Sequence, residues 1–526
     1  MAEDPKPLLS LRARRRLLIA LGYGAANAAL ASAVGFHPRP PGNRNPNATS
    51  TIVNLTSAVL RGIPPALADA GPEPRLGHVY ELVIANGRVI DPDSGFDGQA
   101  DIGIDGGVIS SISLDTLAGA EVIDARDRVV APGFIDLLSY EPNSFGIWYK
   151  LADGVTTNLA MHGVNNYAEP FFDRYENAAP IHFGGAFHQH FMRAELGIGV
   201  EDPLSAPQLD AFAALLGENL AGGLAGVSFS PEYSPGTTTE EMVRLASVAA
   251  DLGHASFFHV RYSDPYSPGT SAEAIDEALE VARRSGAAIH IEHISSTGGT
   301  FVMAETLDTL DQARADGIDV TACLYPYDFW GTFLASPRFS DGWRDRFDLA
   351  YEDLQVAGTD RRLSADTYPE AWRANKLVAA LGSIPEDEVQ LALKTPWILV
   401  ASDAILNPDL NNHPRAAGTF CRLLGRYVRE LGVLDLQSAL AKITILPARR
   451  VERMIPAMGR KGRLQRGADA DIVVFNPVTV ADRATVASPN LASVGIDWVL
   501  VAGQVALRQG TAQHNVKAGQ ALRSSV

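Results

Sequence analysis

Cysteine is scarce in this chain of 526 residues, which contains only Cys323 and Cys421. Two cysteines cannot form a disulfide framework, so a small disulfide-held scaffold is excluded. Neither cysteine belongs to a CxxC pair, and the sequence therefore gives no sign of a structural zinc site of that kind. Apolar residues make up 46% of the chain, enough for a large core without such cross-links.

Basic residues are also in short supply. Lys and Arg total 44 against 61 Asp and Glu, for a formal net charge of −17. No Lys/Arg cluster lies in the part of the chain that we expect to be globular. Proteins that bind nucleic acids present a basic patch to the phosphates, so the composition argues against a nucleic-acid partner.

The one basic segment is at the N-terminus. Residues 1–36 place four arginines before a moderately apolar stretch, followed by an A-x-A-like site at Ala31-Ser32-Ala33. This pattern is typical of an export signal, and the paired arginines favour the twin-arginine type. We therefore expect an exported or envelope-associated protein with membrane contact through this segment only. The alternatives are a retained anchor or amphipathic helix, or a cytoplasmic protein. Residues 37–79 read as a linker.

Short strand patterns with turn signals occur near both ends of the folded part. Residues 80–130 contain hairpin signals at Asn86-Gly87 and at Asp105-Gly106-Gly107, and residues 463–515 contain another at Ala502-Gly503. A long α/β body separates the two regions. We therefore predict one β-sandwich domain assembled from both termini.

The body, residues 131–462, alternates buried apolar runs with amphipathic helical stretches. Eight such βα units predict an α/β fold, a (β/α)8 TIM-like barrel. Residues 329–395 are too long and too polar for a simple connection, so we predict an insertion there. Such an insertion would cover the barrel mouth and exclude water. The alternative is a surface excursion that does not contact the substrate.

Polar residues end three of the buried runs. His259 follows SFF, His293 follows IHIE, and Asp403 follows WILVAS. The carboxyl ends of barrel strands meet at one rim, so these side chains should converge there. Two imidazoles are suitable ligands for a borderline divalent cation, and a carboxylate can transfer protons. The pattern predicts a hydrolytic metal site.

The chain from about Tyr80 to Gly510 resembles the amidohydrolase superfamily, and within it the N-acyl-D-amino-acid deacylases. The resemblance rests on many short motifs in the family's order, each of them weak alone. They are ANGRVIDP, VVAPGFID, GVTT, AGVSFSPEYSPG, HVR, IEH, YPY, SDA, HPRAAGTFCRLLGRY, KITILPARR and GRLQRGADADIVVFNP.

The resemblance implies a role for five residues. His259 and His293 match the histidines that hold a zinc ion, and Asp403 matches the general acid/base. Arg415 matches a position where a guanidinium pairs with an amino-acid carboxylate. Tyr325 would line the same pocket and donate a hydrogen bond to the carbonyl oxygen. For Arg415 the alternative is a structural ion pair.

The first barrel strand departs from the family. The family's D-x-H-x-H is replaced by Asp136-Leu137-Leu138-Ser139-Tyr140. Leucine cannot bind a cation, and a neutral phenol with a pKa near ~10 is a poor ligand. We therefore expect one divalent ion, zinc, and no second site.

The third ligand is a further expectation. After GVTT the family has a cysteine ligand, whereas this chain has Gly163 with His162 beside it. We predict His162 as the third ligand, which requires a shift of one position in the loop. His188 and His190, two apart on an extended segment, are alternatives. Glu141 is an alternative carboxylate at the mouth.

Three functions follow from these patterns. The first is a metal-dependent amidohydrolase that cleaves a linear amide of an N-acyl amino acid or a peptide-like small molecule. The second is a cyclic-amide hydrolase, which is disfavoured because no lysine stands at the usual bridging position of a two-metal site. The third is a catalytically silent homologue that binds a ligand. Loss of the HxH pair favours this reading, and retention of both histidines with Asp403 argues against it.

Overall fold

The computed structural model describes residues 77–266, 269–408 and 413–525. The signal-like segment (1–36) and nearly all of the linker (37–79) predicted above lie outside these residues.

The described residues form twenty strands in three sheets. In chain order the strands are β1 (Val79–Asp91), β2 (Phe96–Asp105), β3 (Val108–Ser113), β4 (Ala118–Asp124), β5 (Val129–Pro132), β6 (Phe134–Asp136), β7 (Val155–Val164), β8 (His182–His188), β9 (Val227–Phe229), β10 (Ser256–Phe258), β11 (Ile289–Ile291), β12 (Val320–Leu324), β13 (Trp330–Phe333), β14 (Leu354–Val356), β15 (Leu377–Ala380), β16 (Ile398–Val400), β17 (Ile472–Phe475), β18 (Ile496–Val501), β19 (Gln504–Arg508) and β20 (Thr511–Ala512).

Thirteen α-helices accompany these strands in the described ranges. They are α1 (Gly146–Ala152), α2 (Ala168–Tyr175), α3 (Gln189–Glu195), α4 (Ala206–Ala221), α5 (Thr239–Asp251), α6 (Ser271–Ser285), α7 (Met303–Ala315), α8 (Trp343–Phe347), α9 (Tyr368–Arg373), α10 (Glu386–Lys394), α11 (Arg415–Arg422), α12 (Leu436–Ile443) and α13 (Ile445–Val451). A π-helical stretch, Leu423–Glu430, continues α11. Over the same ranges, no helix has the length and apolarity of a membrane span.

Eight parallel strands form the barrel. Their order is β6-β7-β8-β9-β10-β11-β12-β16, which confirms the predicted (β/α)8 architecture. Two hydrogen bonds from backbone N–H groups join the first strand region to the last: Asp403 N donates to Leu138 O over 2.7 Å, and Ser402 N donates to the Asp136 side-chain carboxylate over 3.0 Å. The catalytic candidate Asp403 therefore lies at the seam where the barrel closes.

Alternation along the barrel strands sorts side chains between two cores. Phe257 packs in the barrel interior with Cys323 and Leu399, whereas its neighbour Phe258 packs in the outer core under the helices. Successive side chains on a strand point to opposite faces. The residue two positions after Phe257, His259, therefore stays on the interior side and reaches the mouth.

The termini combine in a second, nine-stranded sheet. Its path runs β20-β19-β18-β17-β5-β1-β2-β3, and β4 pairs with β1. The antiparallel β5–β17 pair joins the N-terminal strands to the C-terminal ones. The β-domain that we predicted from both termini is therefore built from one branched sheet. Its β3 edge also forms a bridge to Asp469, just before β17. This closes the sheet over its own apolar core.

One predicted hairpin turn is wrong. Residues Asn86-Gly87 lie inside the continuous strand β1, where the register with β2 shifts by a bulge. Asn86 has a φ of 65°, and its N–H donates to the side-chain carboxylate of Asp101 in β2 instead of to a backbone carbonyl. The Asn-Gly pair supports a bulge as readily as a turn because both need positive φ. The turns at Asp105–Val108 and Val501–Gln504 are present as predicted.

The insertion after β12 forms a small antiparallel sheet. Its order is β13-β15-β14, and residues of this sheet line the cavity at the barrel mouth. The predicted range 329–395 is too long at its C-terminal end. Helix α10 packs against β12 and β16 as an ordinary barrel helix does.

The C-terminal tail packs under the barrel. Leu522 joins the interior core, and its N–H donates to Phe183 O at the amino end of β8 over 2.7 Å. A Cβ on Gly184 would lie 2.8 Å from Leu522 O, so the close approach requires glycine. This contact lies beyond residue 515, where we predicted the β-domain to end. The tail closes the end of the barrel opposite the candidate site.

Candidate metal centre and catalytic pocket

A cavity of about 580 Å³ lies at the carboxyl ends of the barrel strands. Its lining includes all six residues singled out from the sequence: His162, His259, His293, Tyr325, Asp403 and Arg415. The fold thus brings together side chains that lie up to 253 positions apart in the chain, from His162 to Arg415. Their roles follow from their contacts.

Three imidazoles and one carboxylate meet on the cavity floor. His259 Nδ1 lies 3.0 Å from His293 Nε2, and His162 Nδ1 lies 2.5 Å from Glu292 Oε2. The potential ligand atoms of His162, Glu292 and His293 all lie within 4.8 Å of one another. Such nitrogen and oxygen donors suit zinc, whose bonds to them are about 2.0 to 2.2 Å long. The donor set therefore fits one divalent ion.

Glu292 was missed by the sequence reasoning. It follows β11 directly and hydrogen bonds Ser228 Oγ as well as His162. Ile291 packs in the outer core, so alternation places Glu292 on the interior side. Counting this period on IHIEH would have identified it. His293 departs from the extended conformation, with a φ of 28°, and reaches the same cavity.

His259 is held by a buried carboxylate, Glu232. Glu232 Oε2 lies 2.5 Å from His259 Nε2, and the same residue accepts hydrogen bonds from Ser263 and Arg338. Burial alone would raise the pKa of Glu232, but the Arg338 guanidinium and His259 lower it to about 2. A carboxylate that accepts from Nε2–H leaves Nδ1 free to bind a cation. Glu232 therefore sets the orientation and the tautomer of His259.

The other two histidines differ in electrostatics. Burial, together with the nearby His259 and His162, lowers the pKa of His293 well below 6.5, so this imidazole is neutral, as a ligand must be. Burial also lowers the pKa of His162, but the Glu292 carboxylate outweighs it and leaves that pKa raised. Among the described residues, His293 Nδ1 has no hydrogen-bond partner.

The Asp403 carboxylate lies between the Arg415 guanidinium and the histidines. Its Oδ2 lies 2.9 Å from Arg415 Nη2 and 3.8 Å from His293 Nε2, and its Oδ1 accepts a 3.4 Å hydrogen bond from Tyr140. A φ of 51° turns the backbone sharply at this residue. The carboxylate is thus buried beside the histidines and oriented by two donors.

The backbone around Asp403 is anchored by a buried network. Lys150 Nζ donates to Asp136 over 2.6 Å, and Ser402 Oγ donates to the same carboxylate over 2.6 Å. Lys150 and Asp136 are both fully enclosed. Asp136 therefore faces α1 and holds Ser402, the residue before Asp403 in the chain.

Leu138 and Tyr140 follow the first barrel strand, where the sequence resemblance led us to expect histidines. Leu138 packs in the barrel interior. The ring of Tyr140 lies 5.1 Å from that of His162, and burial next to Asp403 raises the pKa of its phenol well above 10. A protonated phenol is a hydrogen-bond donor and a weak ligand. Neither side chain is a strong ligand for a cation.

Arg415 and Tyr325 form one wall of the cavity. The guanidinium carbon lies 4.3 Å from the centre of the Tyr325 ring. The ion pair with Asp403 corresponds to the structural alternative considered for Arg415, yet the residue also lines the cavity. Its Nε is buried without a partner in the described part of the chain. The ion pair with Asp403 therefore leaves this N–H unused.

The alternative ligands from sequence lie at the edge of this group. His188 Nδ1 contacts Asn165 over 2.9 Å, and its ring is 5.8 Å from that of His162. His190 contacts Ser234. Neither belongs to the group of potential ligands that the structure brings together. Glu141 lines the cavity and accepts a 3.4 Å hydrogen bond from Tyr175.

Comparison with known proteins identifies relatives of this chain. A sequence model of the amidohydrolase family matches residues 364–507. The chain is 33% identical to an N-acyl-D-glutamate deacylase of Alcaligenes xylosoxydans xylosoxydans over 484 residues, which cover 84% of this chain and 96% of that protein. It is 29% identical to a D-aminoacylase of the same organism over 81% of this chain and 94% of the relative.

A solved structure is similar to the chain in fold as well as in sequence. The N-acyl-D-glutamate deacylase of Bordetella bronchiseptica, complexed with zinc and a phosphonate mimic of the tetrahedral intermediate, superposes with a TM-score of 0.73 at 28% identity. The match covers 85% of this chain and all of that one.

Proposed function

The chain belongs to the amidohydrolase superfamily, beside the N-acyl-D-amino-acid deacylases, and is a hydrolase of amide bonds; we propose that it releases the amino acid from N-acyl-D-amino acids with one divalent ion, zinc, as cofactor. The observation that carries this proposal is the buried group of His162, His259, Glu292 and His293 on the floor of the cavity, with Asp403 beside it. The D configuration is taken from the named relatives.

One ion is proposed because the strong ligand atoms form a single group. Nitrogen and oxygen atoms are supplied by His162, His259, Glu292 and His293. The residues just after the first barrel strand include Leu138 and the protonated Tyr140, which are not strong ligands. When bound, the ion would polarise the scissile carbonyl and acidify the attacking water.

Asp403 is proposed as the group that moves the proton. Its carboxylate faces the cavity, takes a proton from the attacking water and returns it to the leaving nitrogen. Hydrogen bonds from Tyr140 and Arg415 hold the carboxylate in one orientation, and the anchored backbone at Ser402 holds its position.

Arg415 is proposed to bind the substrate carboxylate. Its guanidinium lines the cavity and stacks on Tyr325, which holds it in a fixed orientation. Arginine is suited to this task because its planar fork matches a carboxylate. The phenol of Tyr325 would donate to the carbonyl oxygen of the scissile amide.

The experiment is a substrate comparison with zinc-loaded protein. N-acetyl-D-methionine and N-acetyl-D-glutamine, their L enantiomers and a 5-substituted hydantoin are incubated with the enzyme, and released amine or ring opening is followed. We expect hydrolysis of the D linear amides. Ring opening alone would favour the cyclic-amide alternative, and zinc binding without any turnover would favour a catalytically silent homologue.

A further inference from the structure

The arginine side chains that line the cavity form ion pairs with carboxylates of the protein itself. Two guanidinium groups of the described residues line it, those of Arg338 and Arg415. Each is paired with a carboxylate of the chain: Arg338 with Glu232 over 3.1 Å, and Arg415 with Asp403 over 2.9 Å. Once Arg415 binds the α-carboxylate of the substrate, a second anion finds no further unpaired guanidinium among these residues.

Arg338 is committed to the protein by three polar contacts. Its Nε donates to Glu232, and its Nη2 donates to Ser263 Oγ over 3.0 Å and to Ser296 O over 2.8 Å. The guanidinium also stacks on Trp330, with its central carbon 5.0 Å from the ring centre. Only 3% of the side chain is exposed. Arg338 therefore supports Glu232 and is not presented to a ligand.

Away from the histidines, the two arginines and Asp403, the remaining described wall residues except Glu141 are apolar or carry neutral amide and hydroxyl groups, as Asn165, Thr332 and Asn375 do. Trp330, Phe333 and Leu377 come from the insertion, and Ile405 follows the last barrel strand. Glu141 contributes a carboxylate whose Oε1 is buried and has no hydrogen-bond partner in the described ranges. A second negative charge on a ligand would meet no cation on this wall, and the Glu141 carboxylate would repel it.

From this charge balance we propose that the enzyme takes N-acyl amino acids with uncharged side chains and rejects acidic ones. The inference rests on the proposed deacylase function, in which Arg415 binds the α-carboxylate. A second carboxylate on the side chain would lose hydration without gaining an opposite charge, and Glu141 would repel it, which costs affinity. The proposed preference for uncharged side chains therefore differs from the acidic side chain named in N-acyl-D-glutamate deacylase, a relative of this chain.

A charge-only pair of substrates tests the proposal. N-acetyl-D-glutamine and N-acetyl-D-glutamate have nearly the same shape and differ by one negative charge. We expect kcat/KM for zinc-loaded full-length enzyme to favour glutamine by about 100-fold, the scale of an unmatched or like-charge contact. A preference of tenfold or more supports the inference. A smaller one, or a preference for glutamate, overturns it and leaves the deacylase function standing.

Binding separates the two proposals if neither compound is hydrolysed. The same pair is then titrated calorimetrically into the zinc-loaded chain. Tighter binding of the glutamine derivative by tenfold or more supports the uncharged preference while the deacylase proposal fails. Equal binding, tighter binding of the glutamate derivative, or binding of neither overturns both.

A charge introduced into the wall gives a second test. Leu377→Arg places a guanidinium beside the cavity at a half-buried position. It should shift the glutamine-to-glutamate ratio, in turnover or in binding, toward glutamate by about tenfold. The matched Leu377→Gln variant, of similar length without the charge, should keep the wild-type ratio. An equal shift in both variants would assign the effect to shape and overturn the electrostatic argument.

Discussion

Replacement of Asp403 by asparagine tests the mechanism most directly. Asparagine keeps the size of the side chain and can retain contacts with Tyr140 and Arg415, which now lie 3.4 and 2.9 Å from the carboxylate. It cannot accept and return a proton at neutral pH. Asp403 Oδ2 also lies 3.8 Å from His293 Nε2, which places it beside the ligand group.

The expected magnitude follows from general acid–base catalysis. Loss of a positioned base lowers rates by about 10² to 10⁴, which corresponds to about 3 to 5 kcal/mol in the barrier. We expect kcat to fall by at least ~100-fold while zinc content, measured by elemental analysis, stays near that of the wild type. The assay is single-turnover or steady-state hydrolysis of N-acetyl-D-methionine by zinc-loaded protein.

A control addresses the alternative base. Glu141 also lines the cavity, so Glu141→Gln is assayed in parallel and should retain a kcat at least about tenfold above that of Asp403→Asn. The reasoning is refuted if Asp403→Asn keeps full activity, since another group would then move the proton. Loss of zinc in this variant would instead make Asp403 a ligand.

The other predictions concern the ion, the fold and the N-terminus. His293→Ala should lose both zinc and activity in the purified protein, and unchanged zinc content would remove His293 from the ligand set. Glu232→Gln should weaken zinc binding by about 10- to 100-fold in a chelator competition, because the carboxylate orients His259; unaltered affinity would show that it does not. Lys150→Met leaves Asp136 buried without its cation and should destabilise the fold by about 3 to 5 kcal/mol in denaturant unfolding, whereas an unshifted midpoint would contradict this. Deletion of residues 1–33, which we propose to be an export segment, should leave a soluble protein with the full-length thermal transition; aggregation would make the segment structural.

Local patterns in the sequence were enough for the outline of the fold and for part of the site. Short buried runs ending in polar residues predicted the barrel and placed His259, His293 and Asp403 at one rim, because the ends of parallel strands must share an edge. Strand signals at both termini predicted that they join in one β-domain, which the β5–β17 pairing shows.

Local patterns were ambiguous where one signal serves two structures. Asn86-Gly87 reads equally as a turn or as a bulge, and only pairing with β2 over the whole of β1 decides between them. Helix α10 resembled part of the insertion because its polar face is visible in sequence and its packing on β12 and β16 is not.

The sequence by itself determined the eight-stranded barrel, the joined terminal sheet and the convergence of two histidines and an aspartate, since all three follow from periodicity and strand order. Only the tertiary structure decided which distant charges meet. Glu232 contacts His259, 27 positions later in the chain, and Arg338, 106 positions later and within the insertion. No local pattern encodes such contacts, because they depend on how loops from separate strands fold over one cavity.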